Sequence, residues 1–108
     1  MTRWNLTKQA KVSLVEIYQY TVVNWGGKQA DTYLDKMYDK FRRIADKTIL
    51  WRPVGQQFEV NGYFTRHKQH YIYWCQASTG EIIITDILHV SMMQGDRLAK
   101  AFSLPEED

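Results

Sequence analysis

Two segments in the second half of the chain are apolar at consecutive positions, and this feature most constrains the fold. They are Tyr71–Cys75 (YIYWC) and Ile82–Ile84 (III). Successive side chains of a β-strand point to opposite faces of a sheet, so a strand without polar alternation must be covered on both faces. A chain of 108 residues has few helices for that purpose. We therefore expect a small sheet that completes its burial against a partner protein.

Length and composition predict a single domain over residues 1–108, with a frayed tail at residues 104–108. The net charge of +2 is too small to predict nucleic-acid binding, although it leaves a local basic patch open. The lone Cys75 cannot form an intrachain disulfide, which fits a reducing compartment. No apolar run approaches the roughly 20 residues that a membrane helix needs. We expect a cytoplasmic protein that does not contact membranes.

A short strand and a helix are predicted at the start of the chain. Trp4 and Leu6 alternate with polar residues, and Thr7 can cap the following helix with its hydroxyl oxygen. Two apolar stripes at helical spacing predict a wide buried arc on this helix. The stripes are Ala10, Leu14, Ile17 and Thr21, and beside them Val15, Tyr18 and Val22.

A second helix is predicted from about Lys28 to Asp46. Gly26 and Gly27 end the first helix, because glycine accepts the left-handed conformation at a helix C-terminus. The link is so short that the two helices form an antiparallel hairpin. The side of the second helix opposite its apolar stripe is densely charged, which is typical of a solvated face.

The second half predicts three or four strands and then a short final helix. Asn61-Gly62 is typical of a tight turn joining Phe58–Val60 to Tyr63–Arg66. Residues after His89 return to helical spacing. The sequence therefore predicts an α+β fold with an N-terminal strand, an antiparallel helical hairpin, a three- or four-stranded mainly antiparallel sheet and a short C-terminal helix. Both helices of the hairpin are expected on one face of the sheet.

The register of the two apolar strands depends on the turn between them. If Thr79-Gly80 forms a two-residue turn, His70 lies opposite His89 and Tyr73 lies opposite Asp86. A three-residue loop would shift this pairing by one position.

Several short motifs follow one another in order along nearly the whole chain. They are Leu6-Thr7 with Ala10, Trp25-Gly26, Gln29-Ala30, Tyr33, Arg52-Pro53-Val54-Gly55, Gly62-Tyr63-Phe64, His70-Tyr71-Ile72-Tyr73, and Ile87-Leu88-His89 with Met92. In this order they resemble the ParE branch of the bacterial ParE/RelE toxin superfamily. The resemblance implies the toxin of a type II toxin–antitoxin (plasmid addiction) module. It also implies a ParD-like antitoxin, a dimer that binds DNA through its N-terminal part and wraps the toxin with an extended C-terminal part.

The resemblance further implies that the target is DNA gyrase, which ParE-like proteins poison without acting as nucleases. The chain would then need no cofactor or metal, and it would meet DNA only indirectly, through the antitoxin. We expect the target-facing residues on the final helix, with one arginine nearby. They are Arg66, Met93, Arg97, Leu98 and Phe102.

Antitoxin binding is expected at the apolar strands and in the groove along the first helix. An extended peptide can add to a sheet edge, and an amphipathic helix can fill a groove. Aromatic side chains are the candidate anchors, because they dominate interface energetics. The candidates are Trp4, Tyr18, Tyr63, Tyr71, Tyr73 and Trp74.

Two alternatives stay open. A ribosome-dependent mRNA endoribonuclease of the RelE type needs cationic and acid–base groups gathered on the sheet, and Arg66, His70 and His89 are the candidates. Against this, Tyr71 stands where the nuclease branch commonly carries a basic residue, and strand-end histidines commonly have structural roles. The other alternative is a low-toxicity binding module that acts in operon autoregulation. Three histidines and one cysteine do not form a four-ligand zinc pattern.

Overall fold

The structure, a computed structural model, describes residues 3–54 and 62–90. The elements are β1 (Trp4–Leu6), α1 (Lys8–Trp25), α2 (Gly27–Ala45), β2 (Arg52–Pro53), β3 (Tyr63–His67), β4 (His70–Gln76) and β5 (Ile82–His89). The fold is α+β, as predicted. The predicted strand Phe58–Val60 and the predicted final helix lie outside the described residues. No helix in the described part of the chain is long and apolar enough to cross a membrane.

Thr7 joins the start of α1 to the sheet. Its hydroxyl oxygen accepts a hydrogen bond from the Ala10 amide (3.1 Å), which confirms the predicted cap. The same hydroxyl donates to the carbonyl oxygen of Thr85 (2.8 Å), and the Thr7 amide donates to that of Ile84 (3.0 Å). The position of α1 on β5 is therefore fixed by the residue that begins the helix.

A single residue, Gly26, separates the two helices. Its φ of +94° is a conformation that side-chain-bearing residues rarely adopt, so glycine is required there. The Gly26 amide donates to the Val22 carbonyl oxygen (2.9 Å), and the Gly26 carbonyl accepts from the Ala30 amide (3.1 Å). The predicted hairpin is confirmed, and α2 begins at Gly27, one residue earlier than expected.

The described residues form a five-stranded sheet in the order β1-β5-β4-β3-β2. β1 runs parallel to β5, and the other neighbours are antiparallel. Among the described residues, four strands follow the helices, within the predicted three or four, but β2 was not predicted at its position, where Arg52 pairs with Phe64 and Pro53 with Tyr63. Pro53 is tolerated because β2 is an edge strand, where one side of the backbone needs no partner.

The β4–β5 hairpin differs from the prediction in two ways that cancel each other. Its loop has three residues, since the Ala77 amide donates to the Glu81 carbonyl (2.8 Å). A β-bulge then leaves Thr85 as an extra residue, between the pairs Trp74 with Ile84 and Tyr73 with Asp86. Beyond the bulge the register is the predicted one. His70 lies opposite His89, and Tyr73 lies opposite Asp86.

Both helices cover the same face of the sheet, as predicted, and the main core lies between them and the sheet. It is formed by Ala10, Leu14, Ile17, Met37, Phe41, Ile44, Ala45, Ile72, Trp74, Ile82, Ile84 and Ile87. A smaller cluster on the other face contains Val54, Tyr73 and Leu88, with Phe64 and Tyr71 partly buried against it. The apolar strands are therefore largely buried within this chain, which corrects the expectation that their side chains await a partner.

Candidate functional site

The face of α1 that points away from the sheet is apolar and exposed. Val15 is 56% exposed and Val23 is 83% exposed, and Val12 and Val22 are exposed as well. Val12, Val15, Gln19 and Val22 are spaced by three, four and three residues, the spacing of core positions in a coiled coil. We call these four residues the valine seam. A helix of a soluble protein ordinarily presents polar residues on this side, so the valine seam is a candidate surface for a partner helix.

One flank of the valine seam is tied to α2. The Tyr18 hydroxyl donates to Oδ1 of Asp31 (2.8 Å). This hydrogen bond, together with the negative charge of the carboxylate, raises the pKa of Tyr18. Tyr18 remains at the surface, so its ring is available beside the valine seam.

A second surface is a groove between the C-terminal end of α1, the first half of α2 and the β3–β4 turn. It has a volume of about 1070 Å³, and we call it the basic groove. Its lining residues are Tyr20, Thr21, Trp25, Gln29, Thr32, Tyr33, Lys36, Arg66, Lys68, Gln69, His70 and His89. A smaller recess of about 390 Å³ adjoins it and shares Tyr20, His70 and His89. Glu16 lines that recess.

His70 stands where the helical hairpin meets the sheet. The Tyr33 hydroxyl of α2 lies 2.7 Å from Nδ1 of His70 and 3.4 Å from the carbonyl oxygen of His67. Burial, followed by the proximity of His89 and His67, lowers the pKa of His70 to about 4. Burial and the charges of Lys40, Lys68 and Lys36 likewise lower the pKa of His67 to about 4. Both imidazoles are therefore neutral at pH 7.

The six predicted antitoxin anchors fall into three groups. Trp74 is fully buried in the main core and Tyr73 is 4% exposed, so neither side chain lies at the surface of the folded chain, where an anchor would have to be. Trp4 and Tyr63 are half-buried and pack against the main core, while Tyr71 packs against the smaller cluster on the opposite face. Only Tyr18 lies at the surface next to the valine seam.

The residues predicted for a target or for nuclease chemistry are partly brought together. Arg66 is exposed on β3, where its Nε donates to the Lys68 carbonyl (2.8 Å) and its guanidinium lies 5.9 Å from the centre of the Tyr71 ring. Arg66, His70 and His89 all line the basic groove, and the rings of the two histidines are 5.4 Å apart. The other four target residues, Met93, Arg97, Leu98 and Phe102, lie outside the described residues.

Sequence reasoning missed the valine seam and most of the basic groove. The predicted buried arc of α1 includes Val15 and Val22, but both are exposed. The three-four-three spacing of the valine seam was the available signal, because it is displaced around the helix from the stripe that contains Leu14. For the basic groove there was no comparable signal, since its residues come from three separate parts of the sequence.

Comparison with known proteins places the chain in a family. Residues 5–94 match the model of the family described as "ParE toxin of type II toxin-antitoxin system, parDE". The chain belongs to the ParE toxin family. A "Toxin ParE" of Escherichia coli is 30% identical to this ParE family member over 100 residues, which are 92% of this chain and 95% of that protein.

The architecture of this ParE toxin is also found in a solved structure. That structure, described as "Chromosomal ParDE TA system from P. aeruginosa", matches with a TM-score of 0.70 at 18% sequence identity. The match covers 84% of this chain and 98% of the other. At this identity the likeness concerns the fold, and it agrees with the order of helices and strands described above.

Proposed function

We propose that this ParE family toxin arrests growth by inhibiting DNA gyrase, and that a ParD-like antitoxin neutralises it by docking a helix on the valine seam. The observation that carries the antitoxin part is the apolar, exposed outward face of α1. The solved neighbour belongs to a ParDE system, which supports a ParD-like protein as the partner. The gyrase part rests on membership of the ParE family.

The chemistry of the valine seam specifies the kind of partner. Its three-four-three spacing fits an amphipathic helix that runs along α1 and inserts apolar side chains between the valines. Gln19 in the middle is polar, and a single polar residue in such a seam favours one register over others. Burying a partly exposed valine contributes about 1 kcal/mol, so the seam would supply the centre of the interface and its neighbours would supply the rest.

A ribosome-dependent nuclease is the second candidate, because Arg66, His70 and His89 do line one groove. The environment of His70 argues against it. General acid–base catalysis is most effective when the catalytic pKa lies near the working pH, whereas the pKa of His70 is about 4. Tyr33 also occupies Nδ1 of His70, as expected of a histidine that ties α2 to the sheet. We therefore propose binding of a target, not RNA cleavage, as the basis of toxicity.

The deciding experiment uses the full chain purified away from its antitoxin. In a supercoiling assay with purified gyrase, we expect loss of supercoiling and accumulation of cleaved DNA, and addition of the antitoxin should restore activity. A toxin without effect on gyrase at micromolar excess would contradict the gyrase part. Normal growth on expression without an antitoxin would instead favour the low-toxicity binding module.

A second experiment distinguishes the nuclease function from gyrase inhibition. The variants His70→Ala and His89→Ala should remain toxic, and mRNA from the arrested cells should show no new codon-biased cleavage. Circular dichroism of both variants controls for loss of the fold. If toxicity and mRNA cleavage both disappear while the fold persists, the nuclease function is the correct one.

A further inference from the structure

The basic groove combines cations with aromatic rings. Lys36 of α2, Arg66 of β3 and Lys68 of the β3–β4 turn supply the cations, and Tyr20 and Trp25 of α1 supply the rings. Among the described residues that line the groove, none is an aspartate or a glutamate. The groove thus differs from the charged surface of α2, where acidic and basic residues alternate and Asp39 pairs with Arg42 (3.0 Å).

The positive charges act together at this end of the sheet. Lys36, Lys40 and Lys68 come from two elements, yet all three are close enough to His67 to lower its pKa, in addition to the larger effect of burial. The described lining of the groove contains cations and no carboxylate, although Glu16 lines the adjoining recess. This arrangement creates a local positive potential that a net charge of +2 does not reveal. The ligand of such a groove should carry several negative charges.

Lys68 lines the groove from a turn in which its backbone adopts an unusual conformation. Lys68 has a φ of +54° and is the first residue of the two-residue turn between His67 and His70. That conformation is unfavourable for a lysine, and glycine or asparagine is the usual choice at such a position. Lys47, which is not among the residues lining the groove, has a similar φ of +60°, so the case for Lys68 rests on its position at the groove beside Lys36 and Arg66.

The exposed rings narrow the choice of ligand. Tyr20 is 65% exposed and Trp25 is 70% exposed, so both present open faces beside the cations. An acidic peptide without aromatic residues would use the cations but not the rings, and duplex DNA keeps its bases stacked inside. Single-stranded nucleic acid offers phosphates and free base faces together.

We propose that the basic groove binds single-stranded nucleic acid, with its phosphates on Lys36, Arg66 and Lys68 and a base stacked on Tyr20 or Trp25. This goes beyond the proposed function, in which the toxin binds two proteins. It also departs from the expectation that DNA is met only through the antitoxin. Single-stranded DNA and single-stranded RNA both offer phosphates and base faces, and the test below distinguishes between them.

The test measures fluorescence anisotropy of labelled oligonucleotides with the purified full chain. The probes are an oligothymidylate, an oligouridylate of equal length and a duplex of equal length. Both single strands should bind more tightly than the duplex. If the oligouridylate binds more tightly, RNA is the preferred ligand. If the oligothymidylate binds more tightly, DNA is the preferred ligand. A competing polyglutamate peptide should displace neither.

The decisive variant is Lys36→Ala/Arg66→Ala/Lys68→Ala, with Arg3→Ala/Lys8→Ala/Lys11→Ala as the control that removes the same charge. Arg3 lies before α1, and Lys8 and Lys11 lie at its start, about 21 to 26 Å along that helix from Trp25. The groove triple should weaken single-strand binding at least about tenfold and reduce the slope of log affinity against log salt by about 2. The control should stay within about threefold of the unmodified chain.

The variant Lys68→Gly distinguishes a loss of positive charge from a loss of folding stability. The thermal midpoint should stay the same or rise, because glycine relaxes the turn, while single-strand affinity falls about fivefold. Trp25→Leu should also weaken binding about fivefold through lost stacking. No single-strand binding at low salt, equal losses in the two triples, or tighter binding of the duplex or the polyglutamate peptide would each overturn the proposal. Antitoxin binding by the groove triple is measured in parallel and should not change, so a failure here is distinguishable from a failure of the proposed function.

Discussion

The two helices of the hairpin have similar inward faces and opposite outward faces. Toward the sheet, α1 buries Leu14 and Ile17, and α2 buries Met37 and Phe41. Away from the sheet, α2 is covered by charged side chains, whereas α1 shows the valine seam and its exposed neighbours. Water is an adequate partner for the outward face of α2 but not for that of α1. α2 therefore needs no further partner on its outward face, whereas α1 leaves an exposed apolar face that a partner could bury.

The largest effects should come from the inward faces, where the helices are alike. Phe41→Ala on α2 should cost about 3–5 kcal/mol and Leu14→Ala on α1 about 2–5 kcal/mol, because each leaves a cavity in the main core. Val15→Ala, on the outward face next to Leu14, should stay within about 0.5 kcal/mol. Urea denaturation of the purified chain measures all three. A Val15→Ala cost equal to that of Leu14→Ala would mean that the valine seam is buried within the chain and that the outward faces of α1 and α2 do not differ.

The next effect concerns the outward faces and the partner. Val15→Asp/Val22→Asp should weaken antitoxin binding about 100-fold, close to 2.7 kcal/mol, because two charges would have to be buried in an apolar contact. Asp35→Ala, on the outward face of α2, is the matched control and should change affinity less than about threefold. Isothermal titration calorimetry with the ParD-like antitoxin gives both values. Equal losses on the two helices would contradict the assignment of α1 as the docking surface.

The sequence predicted both helices but did not predict the difference between their outward faces. Apolar periodicity correctly predicted α1 and α2, and local capping signals correctly predicted that α1 begins after Thr7 and ends at Gly26. Periodicity does not say which of two stripes faces the sheet. A helix packed on one sheet and one neighbour cannot bury both, and in α1 the stripe with Val15 is the one left exposed. A helical projection, more than composition, would have shown this.

The bulge at Thr85 could not be predicted from the sequence, for a different reason. Its position depends on contacts with α1, where Ser13 donates a hydrogen bond to the buried Asp86 carboxylate and Thr7 bonds the Thr85 carbonyl. These contacts join residues more than 70 positions apart. The predicted pairing of His70 with His89 was confirmed only because the extra residue at the bulge compensates for the extra residue in the loop. The basic groove depends on similarly distant contacts, so net charge did not reveal it.

The link between the helices provides a third test, of intermediate size. Gly26→Ala should destabilise the chain by about 1–3 kcal/mol, because φ +94° is strained for alanine even though its added Cβ would meet no atom within 4 Å. Gly27→Ala is the matched neighbour, with equally open space and no positive φ. It should be neutral or stabilising by about 0.4–1 kcal/mol. Thermal unfolding compares the pair, and similar shifts in both variants would show that the conformation of Gly26 does not hold the two helices in place.

The smallest expected effect is a difference in pH dependence between the contacts that hold α1 on the sheet and those that hold α2 on it. α2 is attached through Tyr33 and His70, whereas Ser13 and Thr7 attach α1 without a histidine. The folded pKa of His70 is about 4, below its ordinary value of 6.5, so the unfolded chain takes up the proton first as pH falls. The neutral His70 imidazole therefore makes its full contribution to the free energy of unfolding above pH 6.5, and this contribution is lost as the pH falls toward 4. The loss is about 1 kcal/mol once the partial exposure of the ring is allowed for.

His70→Gln should therefore reduce, without abolishing, the decrease in unfolding free energy between pH 6.5 and pH 4, because the pKa of His67 is lowered to about 4 as well. Urea denaturation at a series of pH values measures this decrease. His89→Gln is the control, since it leaves the contact between Tyr33 and His70. Most of the pH dependence should persist in it, because burial lowers the pKa of His70 more than His89 does. Hydrogen-exchange protection should fall in α2 before α1 over the same pH range, because only the α2 attachment depends on a neutral imidazole. Simultaneous loss of protection in both helices would mean that the hairpin detaches as one unit. The difference between α1 and α2 would then be confined to their outward faces.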